Sequence, residues 1–125
     1  MADDFSSRVR TLAGFADDED ARRAAEAVLG ALGAHLSGAA ARDLAAGLPE
    51  PYARPLTQTG GTATAAGMDE FYAAVERQSG LHDAPAAVGA VLRALAEAAD
   101  RGAVEAAREQ LPAELQGLLK SAVGV

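Results

Sequence analysis

Residues 21–36 read ARRAAEAVLGALGAHL, and residues 84–99 read APAAVGAVLRALAEAA. In both stretches apolar residues recur at intervals of three and four, the spacing of an α-helix that packs on one face. The large apolar residues share the pattern Val-Leu-x-x-Leu, so we predict two long helices with matching buried faces. The predicted buried positions are Ala21, Ala25, Val28, Leu29, Leu32 and Leu36, and Ala84, Val88, Val91, Leu92, Leu95 and Ala99.

The correspondence extends outward from these two stretches. The matched residues are Phe5 and Phe71, Val9 and Val75, Gly14 and Gly80, and the Leu-Pro pairs at 48–49 and 111–112. Their offset changes once along the chain, from 66 to 63 residues, which a three-residue deletion in the second copy between Leu81 and Val88 explains. We therefore predict an all-α fold built from a duplicated three- to four-helix unit, with seven to eight helices. Two pseudo-symmetric halves would pack through their long helices.

This pattern divides the chain into a first helical repeat at 1–56, a linker at 57–69 and a second helical repeat at 70–125. The linker is rich in Gly, Thr and Ala, which suits a flexible connection. A unit of about 50 residues has a thin hydrophobic core by itself. We therefore expect the two repeats to share one core.

Polar and glycine residues mark the expected helix ends. The predicted start signals are Asp3 or Asp4, Asp17 and Asp18, Asp69, and Asp83 with Pro85 in the first turn. Gly14 and Gly80 should end the first helix of each repeat. Breaks at Ser37-Gly38 and Arg101-Gly102 should precede a short third helix, whose buried residues would be Ala41, Leu44, Leu48, Val104, Ala107 and Leu111. Pro49 and Pro112 should start a short fourth helix, which Pro51 and Pro55 keep short in the first repeat.

Composition excludes several functions. Eighteen acidic and eleven basic residues give a net charge of −7, which disfavours binding to nucleic acid or to an anionic membrane surface. Without cysteine, a disulfide, a thiolate zinc site and a Cys nucleophile are all excluded. The N-terminal residues lack the basic and apolar character of a secretory signal, and no apolar run is long enough to span a membrane. We expect a cytoplasmic protein.

The repeated pattern resembles a bacterial family, the domain of unknown function family 2267, from about Phe5 to Leu119. The most specific segments are Asp43-Leu44-Ala45-Ala46-Gly47-Leu48-Pro49 and Arg108-Glu109-Gln110-Leu111-Pro112. The family pattern there is similar to small-small-Gln-Leu-Pro, which Gln110 fits and Gly47 does not. The resemblance implies a small, duplicated, all-helical protein, and it implies no established activity, cofactor or catalytic residue.

No stretch of the sequence predicts catalytic, cofactor-binding or metal-binding residues. The acidic run at 17–20 lacks the alternating ligands and the glycine of a calcium loop, so we interpret it as a helix start. His35 and His82 occupy different repeat positions and lack metal-ligand spacing, which favours structural roles. The segment 59–62, TGGT, lacks the lysine of a phosphate-binding loop and is interpreted as linker.

The main hypothesis is a non-catalytic protein-interaction or accessory module that uses the groove between the repeats. Tyr72 and Tyr52 are the candidate contacts for an unidentified protein partner; for Tyr72, a surface contact and a cover over the linker both remain open. The alternative is a protein with a pocket between the repeats that binds a small apolar ligand or has weak catalytic activity. An acidic stability protein without a discrete site is a third hypothesis. The alanine-rich faces also leave room for a homodimer.

Overall fold

The computed structural model describes residues 4–48, 52–59, 68–80, 84–111, 113 and 115–117. Every regular element in these ranges is an α-helix, so the predicted all-α fold is confirmed. The helices whose first and last residues can both be given are α1 (Asp4–Ala13), α2 (Asp18–Gly33), α3 (Gly38–Ala45), α4 (Ala53–Thr59), α5 (Met68–Ser79), α6 (Ala84–Ala98) and α7 (Arg101–Arg108). Helical residues also occur at 113 and 115–117.

Side-chain caps set the starts of three helices. Asp17 precedes α2, and its carboxylate accepts a hydrogen bond from the backbone N–H of Asp20 at 2.9 Å, as predicted. Ser37 caps α3 in the same way. The cap of α7 is Asp100, which accepts from a backbone N–H three residues later. The break predicted at Arg101-Gly102 was therefore placed too late, because Arg101 is already the first residue of α7.

Two glycines end α1 and α5. Gly14 has a φ of 77° and Gly80 has a φ of 74°, a region that residues with a β-carbon rarely adopt. The N–H of Gly14 donates to the carbonyl of Arg10, and the N–H of Gly80 donates to that of Glu76, both at 2.8 Å. The prediction that these glycines terminate the first helix of each half is confirmed.

The helices extend into both ends of the predicted linker. The helix α4 continues to Thr59, and the hydroxyl of Thr57 donates to the carbonyl of Arg54 at 3.1 Å. Because α5 starts at Met68, Asp69 lies inside its first turn and does not precede it. Segment 60–67 lies outside the described residues, as do the two prolines predicted to start the fourth helices.

One continuous hydrophobic core contains the predicted helix faces. All six predicted positions in α2 and the loop after it are buried, and so are all six predicted for the third helices. In α6 the central positions Val88, Val91, Leu92 and Leu95 are buried, whereas Ala99 is only half-buried just beyond the helix. The side chain of Ala84 is outside the described residues.

The long helix α2 is the centre of the packing, since it contacts α1, α4, α5 and α6. The expected contact between the two long helices is therefore present as α2 against α6. A further feature was not anticipated: α1 also packs on α6, and α5 also packs on α2. The N-terminal half, α1–α4, and the C-terminal half, α5–α7, thus each cover the long helix of the other.

An ion pair connects α1 and α6. Arg8 Nε and Nη2 donate to the two carboxylate oxygens of Glu97, each at 2.8 Å. These hydrogen bonds lower the pKa of the Glu97 carboxyl below its ordinary value. Both side chains are 43% exposed, so the pair orients the two helices and adds little stability.

Gly47 lies where the end of α3 meets the end of α6. A β-carbon at this position would lie 2.7 Å from Ala99 Cα and 2.8 Å from the carbonyl oxygen of Ala98. Both contacts are with backbone, which cannot rotate away as a flexible side chain can. Any side chain at position 47 would therefore require the backbone of Ala98 and Ala99 to move.

We expect Gly47→Ala to lower the free energy of unfolding by about 1–3 kcal/mol, the usual effect of inserting a methyl group into a filled space. Gly89→Ala in α6 is the matched control, because a β-carbon there meets nothing within 4 Å. The control should raise stability by about 0.5–1 kcal/mol, since alanine is the better helix former. Urea denaturation measures both; equal effects of the two substitutions would contradict the close approach.

Candidate functional site

An open groove of about 400 Å³ lies between α2, α4 and α5. It is formed by α2 and α4 from the N-terminal half and α5 from the C-terminal half. Its lining residues are Arg23, Glu26, Ala27, Gly30, Pro55, Gln58 and Gln78. Its volume is within the range of protein sites that hold small molecules or short peptide segments.

Small residues of α2 form the floor of the groove. Ala27 and Gly30 are three residues apart, so they lie on the same face of the helix. A β-carbon at Gly30 would lie 3.7 Å from Gln78 Oε1 and 4.0 Å from Pro55 Cβ. The glycine is thus the point where α2 faces both α4 and α5, and its lack of a side chain leaves the groove open.

Two opposite charges line the α2 side of the groove. Glu19 lies one turn before Arg23 on α2. Arg22 Nη2 donates a hydrogen bond of 2.7 Å to Glu19 Oε1, and this bond lowers the pKa of the Glu19 carboxyl below its ordinary value. Arg23 lies farther from the same carboxylate, at 3.6 Å, and its side chain is 57% exposed. The guanidinium of Arg23 therefore retains its hydrogen-bonding capacity at the groove, where Glu26 supplies a carboxylate.

The chain has four glutamines, and they differ in their hydrogen bonds. Outside the groove, Gln110 bonds both the N–H and the hydroxyl of Ser37, and Gln116 donates to the carbonyl of Leu111 at 2.8 Å. Within the described part of the chain, the amides of Gln58 and Gln78 have no protein partner. Both are exposed and line the groove, so their donors and acceptors are available to a ligand.

A second depression of about 390 Å³ lies between α3 and α7 and includes two carboxylates, Asp43 and Asp100. Asp100 already caps α7, which commits one of its oxygens to a backbone N–H. The described residues contain no group of three or more His, Cys, Asp or Glu side chains arranged to hold a metal ion. The α2–α4–α5 groove is the stronger candidate site.

The structure corrects one predicted contact and leaves the other outside the groove. Tyr52 is 0% exposed and its ring centroid lies 4.9 Å from that of Phe5, so its side chain is not accessible to a partner. Tyr72 is half-buried against the core and lies edge-on to Phe71 at 6.2 Å. Neither tyrosine lines the groove.

The groove residues were missed because their sequence context was typical of a solvent-facing helix surface. Arg23 and Glu26 lie between the predicted buried positions of the first long helix, where a polar residue is expected simply to face solvent. Gly30 was the available signal: a glycine in a helix interior is unfavourable and often marks a close approach or a packing requirement. Gln58 was assigned to the linker.

His35 directly follows the C-cap of α2, and its ring lies 5.7 Å from that of Phe71. His82 is outside the described residues. The acidic run at 17–20 contains the cap and the first turn of α2, in agreement with its interpretation as a helix start. Thr59 is the last residue of α4, whereas residues 60–62 are outside the described residues.

Comparison with known proteins identifies one family. A family profile described as "Uncharacterized conserved protein (DUF2267)" matches residues 2–118. No curated protein and no solved structure matches the chain significantly. None of the described helices is both long enough and apolar enough to cross a membrane. Because the profile spans nearly the whole sequence, the chain belongs to the DUF2267 family.

Proposed function

We propose that the protein is a non-catalytic interaction module of the bacterial cytoplasm, and that its α2–α4–α5 groove binds a segment of a protein partner. The observation that carries this proposal is the groove itself, which is open and about 400 Å³ in volume. Two of its polar side chains, Gln58 and Gln78, make no hydrogen bond within the described residues. Grooves between packed helices are a recurring site for partner segments.

The proposal includes a tandem duplication of one helical unit. The helices α3 and α7 have equal lengths, and each begins after a side-chain cap, at Ser37 and Asp100. The turns at Gly14 and Gly80 share a positive φ and an equivalent backbone hydrogen bond. These parallels support two copies, and the groove would then lie between them.

A small apolar ligand suits this groove less well than a polar partner. Such a ligand would cover Arg23, Glu26 and two glutamine amides without offering them hydrogen bonds, and buried polar groups without partners are costly. No described feature of the groove favours a catalytic role over binding. The partner is therefore expected to be polar where it contacts the groove.

Photo-crosslinking in lysate of the native host tests this function. A p-benzoylphenylalanine in place of Arg54, which is exposed one turn before Gln58 on α4, reports contacts at the edge of the groove. The same residue in place of Ala106 reports contacts on the exposed surface of α7. We expect one protein to be captured reproducibly at position 54 and not at position 106. Capture of a second copy of the chain would instead assign the groove to a homodimer.

A pair of arginine variants makes the crosslink specific to the groove. Arg23→Ala removes a lining side chain, whereas Arg101→Ala removes an exposed arginine at the start of α7, outside the groove. Both residues are exposed, so the thermal midpoint should change little in either variant. Capture should fall several-fold with Arg23→Ala alone. Equal capture by both variants, or no capture with folded bait, would refute the proposal.

A further inference from the structure

We infer that the α2–α4–α5 groove recognises the main chain of an extended peptide segment, with Gln58 and Gln78 bonding its amide groups. This inference rests on the proposed function and specifies the chemistry of its partner. The two glutamines outside the groove bond to protein atoms, whereas the two that line it make no such bond within the described residues. An amide side chain supplies both donors and an acceptor, which are the groups that complement a peptide bond.

Charge balance points to the same occupant. Arg23 and Glu26 contribute one positive and one negative charge, although the whole chain carries −7. A strongly charged ligand would meet one attractive and one repulsive charge there. A peptide main chain is uncharged and offers carbonyls to Arg23 and N–H groups to Glu26, so it can satisfy both.

A partner helix cannot be recognised in this way, because the groove glutamines require main-chain N–H and carbonyl groups that are free to form hydrogen bonds. In an α-helix the N–H and carbonyl groups bond to each other along the helix, so they are not available to glutamine amides. An extended segment leaves these groups exposed on both edges. The floor residues Ala27 and Gly30, and Pro55 of α4 beside them, are small and apolar, which allows the alternate side chains of such a segment to lie against them.

The side-chain amides of the glutamines also allow peptide binding to be followed by NMR. Each of the four side-chain NH₂ groups gives its own pair of signals in a ¹H–¹⁵N correlation spectrum. The signals of Gln58 and Gln78 report on the groove, and those of Gln110 and Gln116 are internal controls. The probe is an uncharged capped peptide, acetyl-Ser-Ala-Ser-Ala-Ser-amide. The matched control is the same peptide with its amide nitrogens methylated, which removes the N–H donors and keeps the side chains.

We expect the first peptide to shift the NH₂ signals of Gln58 and Gln78 and to leave those of Gln110 and Gln116 unchanged. The methylated peptide should bind about fivefold more weakly or worse, since several hydrogen bonds are lost. The double variant Gln58→Ala with Gln78→Ala should weaken binding by about tenfold. Because both residues are exposed, the rest of the spectrum should show an intact fold.

Ionic strength separates main-chain recognition from charge recognition. Binding of the uncharged peptide should change by less than about twofold between low and high salt, because screening acts mainly on charges. No shift at the groove glutamines, or equal binding of the methylated peptide, would overturn the inference. If crosslinking at position 54 still captures a partner in that case, the interaction module stands and only main-chain recognition is wrong. If the peptide binds but no partner is captured, main-chain recognition by the groove stands and the interaction module is wrong.

Discussion

Tyr52→Ala is expected to lower the free energy of unfolding by about 3–5 kcal/mol, the usual loss when a large buried aromatic side chain is removed. Tyr52 is 0% exposed, and its ring packs on that of Phe5 in α1. Truncation would leave a cavity where the chain entering α4 meets the core. Urea denaturation followed by circular dichroism measures the loss.

Tyr72→Ala is the matched control for this experiment. It removes the same side chain from a half-buried position on α5, so less apolar surface loses its cover. The expected loss is less than half that for Tyr52→Ala. If the two variants lost the same stability, or if Tyr52→Ala had no effect, Tyr52 would be accessible in solution and the corrected assignment would be wrong.

Leu32→Ala should be comparably destabilising, by about 2–5 kcal/mol. Leu32 is 1% exposed and belongs to α2, the helix that packs against four others, so the cavity would adjoin several helices. Leu95→Ala in α6 should give a loss in the same range, because Leu95 is also 1% exposed. Thermal or chemical unfolding of the full chain measures both.

Leu12→Ala in α1 provides the reference for these two variants, since Leu12 is only partly buried against the core. It should cost clearly less than either central leucine. An unchanged midpoint for Leu32→Ala or Leu95→Ala would mean that the corresponding helix does not present its predicted face to the core. The two substitutions thus test α2 and α6 separately.

The periodicity of the apolar residues was sufficient to predict the core. Val28, Leu29 and Leu32 are spaced so that only one face of a helix can bury them together, and this face is buried in the fold. Helix ends were also predictable where one residue determines the local geometry, as at Asp17 and Gly14. These features depend on neighbours in sequence, which is why they could be read directly.

The candidate site depends on distant segments and could not be read in the same way. Gln58 and Gln78 come together with α2 only because α4 and α5 both pack against it. Tyr52 lies in a proline-rich stretch that gave no periodic signal for burial, so its place under α1 was not evident. Likewise, Gly47 is recognisable as a close contact only when the end of α6 is present beside it.

The reciprocal packing of α1 on α6 and of α5 on α2 has a consequence for biosynthesis. Arg8 and Glu97, which join α1 to α6, are 89 residues apart in sequence. At the usual rates of translation, α1 emerges on the order of ten seconds before the helix that covers it. During that interval the apolar face of α1 around Val9 can pack on α2 and on the ring of Tyr52, but not on α6. The nascent chain therefore passes through a stage with exposed apolar surface, and the native packing of this half is completed only after α6 has been synthesised.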